Sequence, residues 1–127
     1  MIEPKRIGAV VLSVRNLDAS LTWYRAKFGF EKLYDDAPNS KSVAIGRSGV
    51  EIHLNPLPKP DDATPVETSR QVCVQLFCLE VAPSDLDRVA SEFAEDKDIV
   101  VLDDHAKYRS RIVEDLDGHA IELYAWK

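Results

Sequence analysis

The two halves of this 127-residue sequence align with each other. Residues 52–54 (Ile-His-Leu) align with residues 121–123 (Ile-Glu-Leu) at an offset of 69 positions, and Leu12 aligns with Leu79 at an offset of 67. A single two-residue insertion before the second helix accounts for the difference. An internal repeat indicates that a chain is built from copies of one structural unit, so we predict a tandem duplication.

The first half predicts a β-α-β-β-β order. Residues 7–14 (IGAVVLSV) form a short apolar run rich in β-branched residues, which is typical of a buried strand. A helix follows, with Asp18 as its predicted N-cap and Gly29 as its stop. Its predicted apolar face consists of Leu17, Leu21, Tyr24 and Phe28. Three short strands are expected at residues 31–34, 42–47 and 50–55, the last two joined by a tight turn at Ser48-Gly49.

The second half predicts the same order. A strand is expected at residues 72–81, and Ser84 and Asp87 have the spacing of a capping box at the start of the second helix. That helix carries an apolar stripe of Leu86, Val89, Ala90 and Phe93. The remaining strands are expected at residues 99–102, 108–113 and 120–126, with Asp117-Gly118 at the last turn.

A proline-rich stretch separates the two halves. Its prolines, which should interrupt regular structure, are Pro56, Pro58, Pro60 and Pro65. We therefore predict one α+β domain over residues 1–127, with a first module at 6–55, a linker at 56–70 and a second module at 71–127. The two βαβββ modules are expected to form an open mixed barrel around a shared cavity.

Charge and composition exclude several classes of partner. The formal net charge of -6 leaves no basic face for a nucleic acid. No apolar run is long enough to cross a membrane and the N-terminus lacks a secretion signal, so we expect a cytoplasmic protein. Cys73 and Cys78 lie at an odd spacing within one predicted strand, which places them on opposite faces and predicts reduced core residues rather than a disulfide.

The alternation of side chains along a strand sorts the cavity residues. His53 and Glu122 occupy equivalent positions in the two closing strands, so we expect them to face each other across a pseudo-twofold axis. Both are residue types that bind metals. The other cavity-facing polar or aromatic residues, which we predict to contact a ligand, are Ser13, Glu51, Asn55, Cys78 and Tyr124.

Two stretches, LSVRNLDASLTWYRAKFGFE and EDLDGHAIELY, together resemble the vicinal oxygen chelate superfamily. That superfamily includes glyoxalase I, extradiol dioxygenases, fosfomycin resistance enzymes and bleomycin resistance proteins. The resemblance spans nearly the whole chain and implies a glyoxalase/bleomycin resistance/dihydroxybiphenyl dioxygenase-like fold. It also implies a homodimer, and it places Ser110 and Ile112 on the cavity side of their strand, with Arg109 and Arg111 turned outward to solvent or to an oligomer contact.

The resemblance also implies where a metal would be held. Enzymes of the superfamily draw ligands from the opening and closing strands of each half, which here correspond to Ala9, His53, Leu76 and Glu122. Only His53 and Glu122 have donor atoms, and catalytic sites of this kind usually supply three protein ligands. The possible cofactor is thus a divalent ion such as Ni, Zn, Mn or Fe, held by His53 and Glu122 without high affinity.

Several candidate residues have alternative structural roles. Glu122 is a catalytic candidate, or it forms an ion pair with His53. His53 is a metal ligand, a general base or an ordinary interior histidine. Tyr124 either contacts the ligand or packs in the core, and His105 is predicted to be exposed in a loop. Trp126 is too far along the chain from Trp23 to predict a stacking surface.

Three functions fit these observations. The first is a small-molecule binding protein of the bleomycin resistance type without a tightly bound metal. The second is a lyase or isomerase of the glyoxalase type, in which Glu122 abstracts a proton next to a carbonyl and His53 relays it or polarises the oxygen, with or without a divalent metal. The third is a scaffold whose cavity has no ligand. In the first two, the partner is a small organic molecule.

Overall fold

The computed structural model describes residues 1–36, 41–64, 66, 68 and 71–127. Within them the chain divides into two compact units, Met1–Thr64 and Pro65–Lys127. In chain order the elements are β1 (Val10–Val14), α1 (Leu17–Phe28), β2 (Glu31–Asp35), β3 (Val43–Arg47), β4 (Val50–Pro56), a short 3₁₀ helix (Pro60–Asp62), β5 (Leu76–Glu80), α2 (Pro83–Glu92), β6 (Val100–Leu102), β7 (Tyr108–Glu114) and β8 (Ala120–Trp126). The βαβββ order predicted for each half is confirmed.

Each unit contains one open, mixed, four-stranded sheet. The strand order is β1-β4-β3-β2 in the first sheet and β5-β8-β7-β6 in the second, with the opening strand parallel to the closing strand in both. Val10 pairs with Ile52 in the first sheet, and Phe77 pairs with Ile121 in the second. Phe77 follows Val10 by 67 positions and Ile121 follows Ile52 by 69, which are the two offsets of the sequence repeat. The α+β class and the duplication are therefore confirmed.

In the first unit, alternation along β1 and β4 creates one buried face. Leu12, Val14, Ile52 and Leu54 are buried on it, while the residues between them are more exposed. Helix α1 contacts β4 and buries Trp23 and Tyr24, whose rings pack edge to face with centroids 4.9 Å apart. The predicted apolar face of α1 is thus confirmed at Tyr24, and Trp23 extends it.

The first helix begins differently from the prediction. Its N-cap is Asn16, whose side-chain Oδ1 accepts a hydrogen bond from the backbone N–H of Ala19 at 3.0 Å. Asp18 instead lies within the first turn, where a carboxylate interacts favourably with the helix dipole. The predicted stop at Gly29 is confirmed, because this residue adopts a left-handed conformation with φ of 66°.

The second helix corrects two further predictions. Its N-cap is Ala82 with Pro83 at the first helical position, and no side chain caps it, so the capping box of Ser84 and Asp87 does not form. Leu86, Val89 and Phe93 are buried as predicted, but Ala90 is exposed. The helix starts two residues earlier than a Ser84 cap requires because proline, with its fixed φ and missing N–H, is well suited to the first turn.

Strand β5 and the linker also differ from the prediction. The strand begins only at Leu76, leaving Val72 and Val74 exposed outside it. Within the predicted linker, residues Pro60–Asp62 form a 3₁₀ helix, so the prolines do not exclude all regular structure. Proline at the first position of such a turn costs no backbone hydrogen bond. Pro65 lies outside the described residues.

Candidate functional site

Four polar side chains meet on one face of the first sheet, and we call Tyr34, Asp36, Glu51 and His53 the His53 cluster. His53 Nδ1 lies 3.2 Å from Asp36 Oδ2, and His53 Nε2 lies 3.2 Å from Glu51 Oε2. The hydroxyl of Tyr34 donates a hydrogen bond to Glu51 Oε1 at 3.0 Å and is 3.3 Å from His53 Nε2. The imidazole is therefore held between two carboxylates.

The His53 cluster combines burial with negative charge. The His53 side chain is only 14% exposed, compared with 28% for Glu51 and 36% for Asp36. Only a doubly protonated imidazole can donate to both carboxylates at once, whereas the neutral ring donates to one of them. The hydrogen bond to Glu51 raises the pKa of Tyr34, and desolvation and the two carboxylate charges raise it further, so its hydroxyl stays protonated. The Tyr34 hydroxyl is therefore a hydrogen-bond donor within the cluster.

A strand irregularity brings Tyr34 to this face. The register between β2 and β3 shifts between Lys32 and Tyr34, so that Tyr34 pairs with Ala44, which in turn pairs with His53. Strict alternation without this irregularity would have placed Leu33 opposite Ala44. Tyr34 and Asp36 were not among the predicted site residues, because no face was assigned to β2 from the sequence, and the sequence of β2 contains no obvious mark of the shift.

Ser13 and Asn55 lie further along the same sheet. The two residues are partners in the β1–β4 register, and both are exposed. Asn55 Oδ1 accepts a hydrogen bond of 2.8 Å from the buried hydroxyl of Ser42. This bond orients the Asn55 amide so that its nitrogen is directed away from Ser42.

In the second sheet, Glu122 lies beside Cys78. The two residues are register partners in β8 and β5, and the Cys78 thiol donates a hydrogen bond to Glu122 Oε2 at 3.4 Å. Desolvation raises the pKa of Cys78, and the hydrogen bond and charge of Glu122 raise it further. Both cysteines are free, as predicted, but both are exposed, so their assignment to the core is wrong. Cys73 lies outside β5 altogether.

The raised pKa of Cys78 predicts slow alkylation. At neutral pH its thiolate fraction is lower than normal, and thiolate is the species that reacts. Treatment with iodoacetamide followed by peptide mass spectrometry should therefore label Cys73 severalfold faster than Cys78. Glu122→Gln should accelerate labelling of Cys78 and leave Cys73 unchanged, so Cys73 is an internal control. Equal rates at the two positions, before and after the substitution, would show that Glu122 does not influence the thiol.

The other predicted ligand contacts of the second sheet share the face of Glu122. Ile112 pairs with Glu122, and Ser110 pairs with Tyr124. Arg109 and Arg111 pair instead with Ala125 and Leu123, on the face where α2 contacts β7 and β8. Their predicted orientation away from this face agrees with the register. Both are ion-paired: Asp103 holds Arg111 at 2.6 Å, and Asp87 of α2 holds Arg109 at 2.7 Å.

An aromatic group near the end of β8 was not expected from the sequence. The ring centroids of Tyr108, Tyr124 and Trp126 lie 5.6–6.0 Å apart, and the imidazole of His105 stacks on Tyr108 at 4.0 Å. The relevant sequence observation was the two-residue spacing of Tyr124 and Trp126 on one strand, which places them on one face. Which residues of β7 and of the loop before it contact these two rings depends on the pairing register between β7 and β8.

The residues present do not fit the metal site that the resemblance implies. Ala9 and Leu76 have no donor atoms. Both nitrogens of His53 face carboxylates, and Glu122 accepts the Cys78 thiol. Across the described ranges, no three His, Cys, Asp or Glu side chains are grouped so as to hold an ion.

Residues 6–123 match the family model described as the Glyoxalase/Bleomycin resistance protein/Dioxygenase superfamily. The chain belongs to this superfamily. Membership agrees with the two motifs noted in the sequence and with the paired βαβββ units. A search of curated proteins found no significant match.

Solved structures of the glyoxalase/bleomycin resistance superfamily have the same fold. A glyoxylase/bleomycin resistance protein/dioxygenase domain from Frankia sp. EAN1pec is 18% identical, with 98% of this chain and 100% of that chain covered at a TM-score of 0.82. The fosfomycin resistance protein FosX from Listeria monocytogenes is 16% identical, with 98% and 94% covered at 0.75. Lactoylglutathione lyase from Agrobacterium tumefaciens is 20% identical, with 96% and 94% covered at 0.63. At these identities the likeness establishes the fold.

Within the part of the chain that the structure describes, neither helix has the length and apolar character needed to cross a membrane.

Proposed function

We propose that this protein binds a small organic molecule against the sheet faces that carry the His53 cluster and Glu122, without a tightly held catalytic metal. The observation that carries this proposal is the environment of Glu122. Its carboxylate is half-buried, and the donor that the described residues supply to it is the Cys78 thiol, a weak hydrogen-bond donor. A partly desolvated carboxylate is stabilised by stronger donors than this, and a ligand with an N–H, O–H or cationic group would supply them.

The predicted ligand contacts support the same proposal. Ser13, Glu51 and Asn55 lie on the first sheet, and Cys78, Ser110, Ile112 and Tyr124 lie on the second. The expectation that His53 and Glu122 face each other around a shared cavity stays part of the proposal. We also propose that the protein is a homodimer and that it is located in the cytoplasm.

The His53 cluster favours a second candidate, a lyase or isomerase. An imidazole positioned between two carboxylates and a tyrosine hydroxyl can take a proton at one nitrogen while a carboxylate accepts the proton at the other. In this alternative, His53 relays a proton that Glu122 abstracts next to a carbonyl of the substrate. The reaction would depend on His53, whereas simple binding would only be weakened by its loss.

A thermal-shift screen tests binding. The panel is aromatic amides, aromatic amines, glutathione adducts and 2-keto compounds. A compound that binds the folded state at a hundred times its Kd should raise stability by about 2.7 kcal/mol and so raise Tm. We expect Glu122→Gln to reduce this shift, and Glu95→Gln, at an exposed position, to leave it unchanged. A panel in which no compound raises Tm would contradict the proposal.

Metal titration tests whether the protein holds a metal tightly, which neither candidate function requires. We expect nickel, zinc and manganese each to leave Tm and the measured metal content of the purified protein unchanged, in the original sequence and in His53→Ala alike. Stoichiometric metal binding that His53→Ala abolishes would overturn the metal-free proposal. Turnover of a 2-keto compound or glutathione adduct, lost in His53→Ala, would favour the lyase or isomerase.

A further inference from the structure

Three aromatic rings form one group on the second sheet, and we call Tyr108, Tyr124 and Trp126 the aromatic platform. Trp126 is nearly perpendicular to both tyrosines, at 86° to Tyr124 and 89° to Tyr108. Tyr108 and Tyr124 are themselves inclined by 69°. Edge-to-face packing of this kind holds each ring in place. Trp126 is nevertheless 53% exposed, so a large part of its ring is available to a ligand.

The aromatic platform lies on the same face as Glu122. Tyr108 pairs with Trp126, and two residues along the strands Ser110 pairs with Tyr124. Another two residues along, Ile112 pairs with Glu122. Paired residues in a sheet present their side chains to the same face. A ligand that contacts the rings therefore lies on the same sheet face as the Glu122 carboxylate.

A buried hydroxyl on this face has no partner. Ser110 is 0% exposed, and its Oγ makes no hydrogen bond to the residues that the structure describes. Buried polar groups are nearly always paired, and each exception requires an explanation. Because Ser110 is the direct partner of Tyr124, its hydroxyl lies next to the platform. A ligand whose polar atom reached this buried hydroxyl would satisfy it.

The loop before β7 is fixed against the aromatic platform. His105 stacks on Tyr108 at 4.0 Å, and its Nδ1 accepts a hydrogen bond from the backbone N–H of Lys107. The Lys127 ammonium donates to the backbone carbonyls of Asp103 and His105, at 2.9 and 2.7 Å. The stacked imidazole is therefore held in place before any ligand arrives, which lowers the entropic cost of binding.

Two carboxylates lie on this face beside the aromatic platform, and the Lys127 ammonium lies at the loop that carries His105. Glu80 is the register partner of Tyr124 in β5, and Glu122 precedes Tyr124 by two residues on β8. The nearby guanidinium groups of Arg109 and Arg111 belong to the opposite face and are paired with Asp87 and Asp103. Exposed aromatic rings next to carboxylates attract cations, through the ring quadrupole and through Coulomb attraction.

We propose that the aromatic platform binds a planar aromatic cation, with its ring against Trp126 and its positive charge directed toward Glu80 and Glu122. The Ser110 hydroxyl and the His105 imidazole border the same surface. This inference rests on the proposed function and names its ligand class. It requires only residues of the second unit.

Three planar probes of different charge test the proposal by NMR titration of the ¹⁵N-labelled protein at neutral pH. They are N-methylquinolinium, which is cationic, quinoline, which is neutral, and 1-naphthoate, which is anionic. We expect N-methylquinolinium to bind with the lowest Kd and to shift the indole N–H resonance of Trp126. The resonance of Trp23, which is buried in the first unit, should not move. Cyclohexylammonium, a cation without an aromatic ring, should bind more weakly than N-methylquinolinium.

Substitutions separate the contributions of ring and charge. Trp126→Ala should raise the Kd of N-methylquinolinium about tenfold, and Trp126→Phe should raise it less. Glu122→Gln should raise the Kd of the cation by up to about fivefold and leave that of quinoline unchanged. Glu95→Gln is the matched control and should change neither. The NMR spectrum of each variant shows directly whether it is folded.

Equal affinity for the three planar probes, or an unchanged Kd in folded Trp126→Ala, would overturn the inference. If N-methylquinolinium fails but another compound binds in a Glu122-dependent manner, the aromatic-cation inference is wrong and the proposed function stands. If no compound of either set binds, the proposed function is itself wrong.

Discussion

Ile121→Ala should lower the free energy of unfolding by about 2–5 kcal/mol, the range for truncating a large aliphatic side chain in a packed core. Ile121 is 0% exposed near the start of β8, between Phe77 of β5 and Val113 of β7. The repeat predicts an equal effect at Ile52, which is 1% exposed at the equivalent position of β4. Chemical denaturation followed by circular dichroism measures both values.

Leu116→Ala is the control for these two variants. Leu116 is 53% exposed in the turn between β7 and β8, so its truncation should change stability by no more than about 0.5 kcal/mol. Because we predict one domain from the sequence, Ile52→Ala and Ile121→Ala should each shift one common transition. Two separate transitions, each sensitive to one variant, would contradict that prediction. A loss below about 1 kcal/mol at Ile121 would contradict the assignment of this residue to a packed core.

Asp115→Ala should destabilise the protein by about 3 kcal/mol, because it removes the acceptor at the β7–β8 turn. Asp115 is 5% exposed, and its Oδ1 accepts hydrogen bonds from the backbone N–H groups of Asp117 and His119, at 3.0 and 2.9 Å. Hydrogen bonds to a charged group contribute about 1.5–3 kcal/mol each, and donors left unsatisfied in a buried position add a penalty. Thermal and denaturant unfolding would measure the loss.

Asp115→Asn is the matched variant, since it keeps an oxygen acceptor of nearly the same shape while removing the charge. Its loss of stability should be less than half of the loss in Asp115→Ala. Asp117→Ala, which changes a neighbouring residue of the same turn, should cost less than Asp115→Ala because the two hydrogen bonds from backbone N–H groups to Asp115 Oδ1 remain. Equal losses in the alanine and asparagine variants would show that the charge, rather than the hydrogen-bond geometry, stabilises the turn.

Turn and strand positions were largely predictable because their causes are local. Ser48 and Gly49 both adopt positive φ, at 54° and 85°, as a two-residue hairpin turn requires. Helix starts were less predictable, because a helix can begin at any of several neighbouring residues that are able to cap it. Asn16 lies at the point where the backbone leaves the extended conformation, and Asp18 does not. The second helix begins at Pro83, because the fixed φ of proline suits the first helical position.

The candidate site was predictable only in part. Alternation along single strands correctly put Glu122 with Tyr124, and Glu51 with His53, because successive side chains point to opposite faces whatever surrounds them. The partners of these residues come from other strands. Tyr34 lies 19 positions from His53 in sequence, and it reaches the imidazole only through the register shift in β2.

The sequence by itself determined the duplication, the strand-helix order of each half and the two pairing offsets, because equivalent residues in two copies of a unit adopt equivalent pairings. The tertiary structure alone decided which polar groups meet. A one-residue change in register moves a side chain to the other face of a sheet, so no periodicity within a single strand specifies its neighbour. Strand register determined that carboxylates surround His53, that a thiol lies beside Glu122 and that two tyrosine rings contact Trp126.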